Sequence, residues 1–149
     1  VKHNKPLTAG ILGAVSTITG EVVTKFLTWL GFGKYSIYQL ISMTVTLNRP
    51  TEIIGLIVNF ILGGFIGIAF YYSLILIGRD YLVLKSTAVS LFFWFLAEII
   101  FTAIIEGHFI AIRPISDYYV HLSGAIAYGV TVGLLFKVYI FNENAEGTT

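Results

Sequence analysis

Gly55-Leu-Ile-Val-Asn59-Phe-Ile-Leu-Gly63-Gly-Phe-Ile-Gly67-Ile-Ala-Phe-Tyr-Tyr-Ser-Leu-Ile-Leu-Ile77 decides the fold. No charged side chain interrupts it, and it lacks the period-2 alternation of a strand. A bilayer core of about 30 Å needs roughly 20 apolar residues at helical rise, so this run is read as a membrane-spanning helix. Inside lipid, the only structures that satisfy their own backbone are helices and closed barrels. Gly55, Asn59, Gly63 and Gly67 recur every fourth residue and share one face. Small residues on one face let two helix backbones approach closely, which drives packing in membranes.

Three further runs follow the same logic. The expected spans are about 7–30, 51–77, 82–105 and 118–141, giving an all-α membrane protein with four transmembrane helices in one domain. The first run is longer than a signal-peptide core and is read as a membrane helix. Pro50, placed in the first turn, and Glu52 open the second span. Ser116 is the expected N-cap of the fourth. Between the first two spans, Ile37, Leu40, Ile41 and Val45 stand opposite Gln39, Ser42 and Thr46, predicting a short interfacial helix over about 36–47. Residues 142–149 form a polar tail, expected to fray.

Composition agrees. The chain is 56% hydrophobic and 11% charged, against about 45–50% and about 25% in soluble domains. A formal charge of +1 and the lack of a basic cluster give no footprint for nucleic acid. With no cysteine, disulfides, thiolate metal sites and cysteine nucleophiles are excluded.

The fourth span carries a second small-residue seam. Asp117, His121, Ala125, Gly129 and Gly133 fall every fourth residue on one face. Gly55, Gly63, Gly67, Ala125, Gly129 and Gly133 are therefore the expected helix-packing positions. They pack the chain's own helices or, as the alternative, a homo-oligomer or another membrane protein.

Ionisable residues inside membrane helices are expensive and mark candidate functional groups. Glu21 and Lys25 stand at i,i+4 in the favourable order for an ion pair. Glu98 lies among Trp94, Phe95, Leu96, Ile99 and Ile100 with no cation one turn away. It needs a partner from another helix, and Lys25, Asn59 and Thr24 match it by depth. Glu21, Lys25, Asn59 and Glu98 thus form a candidate buried polar path. Glu106, His108, Arg113, Asp117 and His121 form a polar cluster at one face of the membrane. His108, Asp117 and His121 are weak candidate metal ligands; no metal and no cofactor is expected.

No P-loop, GxSxG, HExxH or GxGxxG motif occurs, so enzymatic activity is not expected. The leading expectation is a non-enzymatic membrane protein that conducts or senses protons or a small ion through buried polar groups. The alternative is an accessory or scaffold subunit that assembles through its glycine faces. Lys2, Lys5, Arg79, Lys85 and Lys137 on one side outnumber Lys34, Arg49 and Arg113 on the other, which places both termini in the cytoplasm.

The two halves can be overlaid, Gly20-Glu21-Val-Val on Ala97-Glu98-Ile-Ile, as a parallel repeat. Ala9-Gly10-Ile-Leu-Gly13-Ala14 followed by Glu21, together with His121 followed by Gly124, Gly129 and Gly133, resembles small multi-pass inner-membrane proteins of bacteria grouped under domains of unknown function. The resemblance implies a bacterial cytoplasmic-membrane protein and carries over no residue role.

Overall fold

The computed structural model describes residues 4–142. It contains α1 (Lys5–Trp29), α2 (Ile37–Thr46), α3 (Glu52–Ile77), α4 (Leu82–Ile104) and α5 (Ile115–Tyr139). No strand is present among the described residues. The polar tail, apart from Asn142, lies outside them. At 1.5 Å per residue the four long helices run about 35–39 Å, enough to cross a bilayer, and all four are apolar enough to do so. The protein is an all-α membrane bundle.

Each helix start has a local cause. Asn4 accepts the Leu7 N–H at 3.2 Å, and Pro6 in the first turn needs no partner for the N–H it lacks. Ser36 and Gln39 form a reciprocal capping box on α2. Thr51 caps α3 with Glu52 in the first turn, so Pro50 stands just before the cap and not inside the helix. The fourth span begins earlier than expected, at Ile115 with Pro114 as N-cap. Ser116 therefore lies inside α5, and the Asp117 carboxylate serves another segment, described below.

α1 and α5 form the centre of the bundle. α3 packs on α1, α4 packs on α5, and α3 and α4 barely touch. The two outer helices are also the least buried and the most apolar of the four, as lipid-facing helices should be.

The small-residue seams are consumed inside this arrangement. Gly13 of α1 meets Gly63 and Gly67 of α3 so closely that a Cβ on Gly13 would collide with their backbones. Gly20 of α1 faces Gly124 of α5. Gly129 and Gly133 of α5 lie against Val83, Ser86 and Thr87 of α4. The close approach lets Ser86 and Ser90 donate to the carbonyls of Gly129 and Ala125, each at 2.6 Å. Gly55 accommodates the Tyr38 backbone of α2. All six expected packing positions thus pack the protein's own helices, and an oligomer built through these glycine faces loses the surface on which it was based.

α2 occupies the place of the short helix expected between the first two spans, but the face it buries differs from the expected stripe. Tyr38, Leu40, Ser42 and Met43 are its buried residues, while Val45 is exposed. Leu40 and Met43 join Phe101 and Ile105 in a small apolar cluster. The helix therefore closes the end of the bundle at which α1 and α4 terminate. The opposite half is filled by a larger apolar core that includes Phe70, Leu74, Val132 and Phe136.

Candidate functional site: a shared guanidinium at one end of the bundle

The site is built by two polar stripes at four-residue spacing. Glu98, Thr102 and Glu106 run off the end of α4, and Arg113, Asp117 and His121 run into the start of α5. The connection between them turns back at Gly107, whose φ of +79° suits a residue without a Cβ. Folding back brings the two stripes face to face.

Arg113 is the hub, and its side chain is fully buried. Its Nη2 donates to Glu98 Oε2 at 2.8 Å and to Glu106 Oε2 at 3.1 Å. Its backbone N–H donates to Glu106 Oε1 at 2.7 Å. Nη1 stands 3.6 Å from Asp117 Oδ2, an ion-pair distance that falls short of a hydrogen bond. The guanidinium is also stacked near the rings of Phe101 and Tyr118, 4.9 and 4.6 Å from their centroids, a favourable cation–π placement.

Glu106 additionally accepts from the Tyr118 hydroxyl at 2.9 Å. Burial alone would raise its carboxyl. The Arg113 backbone N–H, the Tyr118 hydroxyl and the guanidinium outweigh that and hold it below the usual carboxylate range. Burial likewise works against the Arg113 charge, but Glu98 and Glu106 raise its proton affinity further.

Asp117 does not cap its own helix. Its Oδ1 accepts the backbone N–H groups of Lys34 at 2.6 Å and Tyr35 at 3.2 Å. It therefore ties down the loop after α1 instead of capping its own helix. His121 works on the same loop, with Nε2 2.9 Å from the Tyr35 carbonyl. A carbonyl can only accept, so Nε2 carries a hydrogen. Nδ1 is 3.2 Å from Glu98 Oε1 and 3.4 Å from Arg113 Nη1.

Three carboxylates and an imidazole thus surround one guanidinium, all under a tenth exposed. Glu98 lies about 9 Å below the end of α4 by helical rise, shallower than the midplane. Its partners are Arg113 and His121, not Lys25, Asn59 or Thr24. Depth was the wrong criterion, because the partner comes from the loop that follows Glu98's own helix.

The expected path of Glu21, Lys25, Asn59 and Glu98 is not assembled. Glu21 turns inward and its Oε2 accepts the Tyr38 N–H at 2.9 Å, while Thr24 Oγ1 accepts the Ile37 N–H at 3.1 Å. These are first-turn N–H groups of α2, which have no partner within their own helix and favour a nearby negative charge. Lys25 stands on the outer surface and pairs with Glu52, not with Glu21. Both side chains are half exposed, so the pair contributes at most about 1 kcal/mol. Asn59 makes no hydrogen bond to the cluster and lines a cavity that the cluster reaches only through His121. His108 is exposed on the connecting turn and does not join Asp117 and His121. Among the described residues, no three His, Cys, Asp or Glu side chains are grouped to hold a metal.

Thr102, Tyr118 and the backbone of Tyr35 belong to the site and were not singled out from sequence. The recurrence of polar residues at 98, 102, 106 and at 113, 117, 121 was the available signal. Comparison with protein families, with curated proteins and with solved structures found no match.

Proposed function

We infer that this is a non-enzymatic membrane protein that senses protons through the Glu98–His121 pair. The carrying observation is the position of His121 Nδ1 between an acceptor and a donor. With a proton on Nδ1, the ring donates to Glu98 Oε1. Without it, Nδ1 accepts from Arg113 Nη1. Three carboxylates share a single guanidinium, so a proton gained here also relieves their uncompensated negative charge. The response reaches the loop after α1, because His121 and Asp117 both hold Tyr35.

Sensing is favoured over conduction by the rest of the bundle. The buried charged and imidazole groups among the described residues are Glu21, Glu98, Glu106, Arg113, Asp117 and His121, all at one end. The other half is filled by the Phe70/Phe136 core, which provides no relay.

Nitrogen NMR of the imidazole tests the reading. The His121 Nδ1 resonance should move on acidification while Nε2 stays protonated. Glu98→Gln should shift that profile; an unchanged profile would refute the pairing. In liposomes, proton flux should stay at the level of protein-free vesicles. A steady flux that Glu98→Gln abolishes would replace sensing by conduction.

We place the protein in a bacterial cytoplasmic membrane with both termini inside, on the Lys/Arg distribution. Lys25 adds a cation at the site end, which narrows the asymmetry. As the chain has no cysteine, a single Asn142→Cys variant reports orientation. Labelling by a membrane-impermeant maleimide only after cell lysis is expected, and labelling of intact spheroplasts would reverse the topology.

A further inference from the structure

α3 and α4 barely touch, and between them lies a cavity of about 140 Å³. α1 and α5 form its back wall and α2 its roof. Gly20, Gly63, Gly124 and Ala125 contribute backbone and little side-chain bulk to its walls. Phe93, Trp94 and Tyr128 supply aromatic walls. Exposed Leu62 and Ala97 mark its rim, so it is open towards lipid.

Two of its polar lining groups lack a protein partner. Thr17, Ser90 and Tyr128 are hydrogen bonded to other helices. The half-buried Asn59 amide makes no side-chain hydrogen bond, and the Trp94 indole N–H is sealed among its neighbours without an acceptor. An unpaired amide in hydrocarbon is unfavourable by several kcal/mol on transfer scales, which a pure acyl chain would not relieve.

We propose that this cavity binds the ring of a membrane-dissolved carbonyl compound of the quinone class, with its chain leaving between α3 and α4. Size is the first argument. An apolar cavity of about 150 Å³ accepts one benzene ring, and this one is close to that volume and partly aromatic. Chemistry is the second. An amide both donates and accepts, so Asn59 can donate to a quinone carbonyl and accept from the hydroxyl of its reduced form. Depth is the third. Asn59 lies about 10 Å along α3 from its start, below the headgroup boundary at which glycerolipid esters sit, so a phospholipid's carbonyls do not reach it in their usual position. His121 also lines this cavity, so the two sites adjoin, but ring binding rests on the cavity, Asn59 and Trp94 and is read out without a proton signal.

Trp94 is a built-in reporter, since Trp29 is the only other tryptophan. In a Trp29→Phe background, full-length protein in nanodiscs is titrated with a short-tailed benzoquinone, and with an alkylbenzene as the ring without oxygens. Saturable quenching of Trp94 by the quinone is expected. The alkylbenzene should compete about tenfold more weakly, the value of one net hydrogen bond. Asn59→Leu should remove that tenfold advantage, and Asn59→Ser should retain part of it. Ala97→Phe at the rim should abolish saturation. Quenching that rises linearly with quinone in the bilayer, or equal competition by the alkylbenzene in the parent protein, overturns the proposal. Unchanged quinone affinity in Asn59→Leu does the same. Near-ultraviolet circular dichroism of each variant separates loss of binding from loss of fold.

Discussion

Replacing Arg113 by methionine should destabilise the folded protein by about 3–5 kcal/mol, the usual result of removing one partner of a buried ion pair. The size follows from geometry. Arg113 is the sole guanidinium among Glu98, Glu106 and Asp117, and its side chain is fully buried. Methionine keeps much of the volume while leaving the carboxylates without their cation. Reversible unfolding in mixed micelles measures the loss, and a change below about 1 kcal/mol would show that the cluster does not depend on it.

On acidification this variant should lose less stability than the parent. In the parent, Glu106 is held below its ordinary value. Its contribution is therefore complete above the unfolded carboxylate pKa of about 4.3 and is lost as pH falls through the folded value. With the guanidinium gone, the backbone N–H at position 113 and the Tyr118 hydroxyl still oppose burial, but Glu106 is held down less. The variant should then gain stability relative to the parent on acidification, and Glu106→Gln added to it should recover part of the loss at neutral pH.

Gly55→Ala should be the most damaging of the glycine substitutions, by about 1–3 kcal/mol or more. The added Cβ would occupy the place of the Tyr38 carbonyl, which is backbone and cannot rotate away. Nor can α2 slide, because Glu21 and Thr24 of α1 hold its Tyr38 and Ile37 N–H groups. The helix must lift, and amide exchange across Ile37–Thr46 should accelerate. Gly64→Ala is the matched control. Its Cβ would meet only the Gly10 carbonyl at 3.4 Å and the Ala14 methyl at 4.0 Å, ordinary contacts, so its effect should stay within about 0.5 kcal/mol. Equal losses in the two variants would mean that helix propensity, not the α2 contact, sets the sensitivity.

The spans were legible because twenty-residue apolar runs are a local property. The seam glycines were legible for the same reason, although periodicity does not say which helix meets which seam. Glu21 and Lys25 show where local reasoning stops. Their i,i+4 spacing allows a pair, but the free N–H groups of α2, far closer in space than in sequence, outcompete Lys25 for the carboxylate. Asp117 was grouped with the cluster, but its hold on the Lys34 and Tyr35 N–H groups spans 83 and 82 residues of sequence and is likewise not local. The cluster itself was half visible, since Glu106, Arg113, Asp117 and His121 were grouped, whereas Glu98 was assigned partners by depth. The cavity was not legible at all. It depends on two helices failing to pack, which no single stretch of sequence encodes.

Glu21 and Glu98 occupy matching places in the overlaid halves, and each carboxylate grips the connection that follows its own helix. Glu21 holds Tyr38, and Glu98 holds Arg113.

The central pairing of α1 with α5 joins the two ends of the described chain, with Gly20 against Gly124 and Thr19 against Thr131 at 3.0 Å. Contacts so far apart in sequence are slow to form. Here they also await the last span to be synthesised. Until then α1 has half of its partner surface missing, and Glu98 has no guanidinium, since Arg113 follows α4. An unfinished copy therefore holds the Glu98 carboxylate in the membrane without its cation.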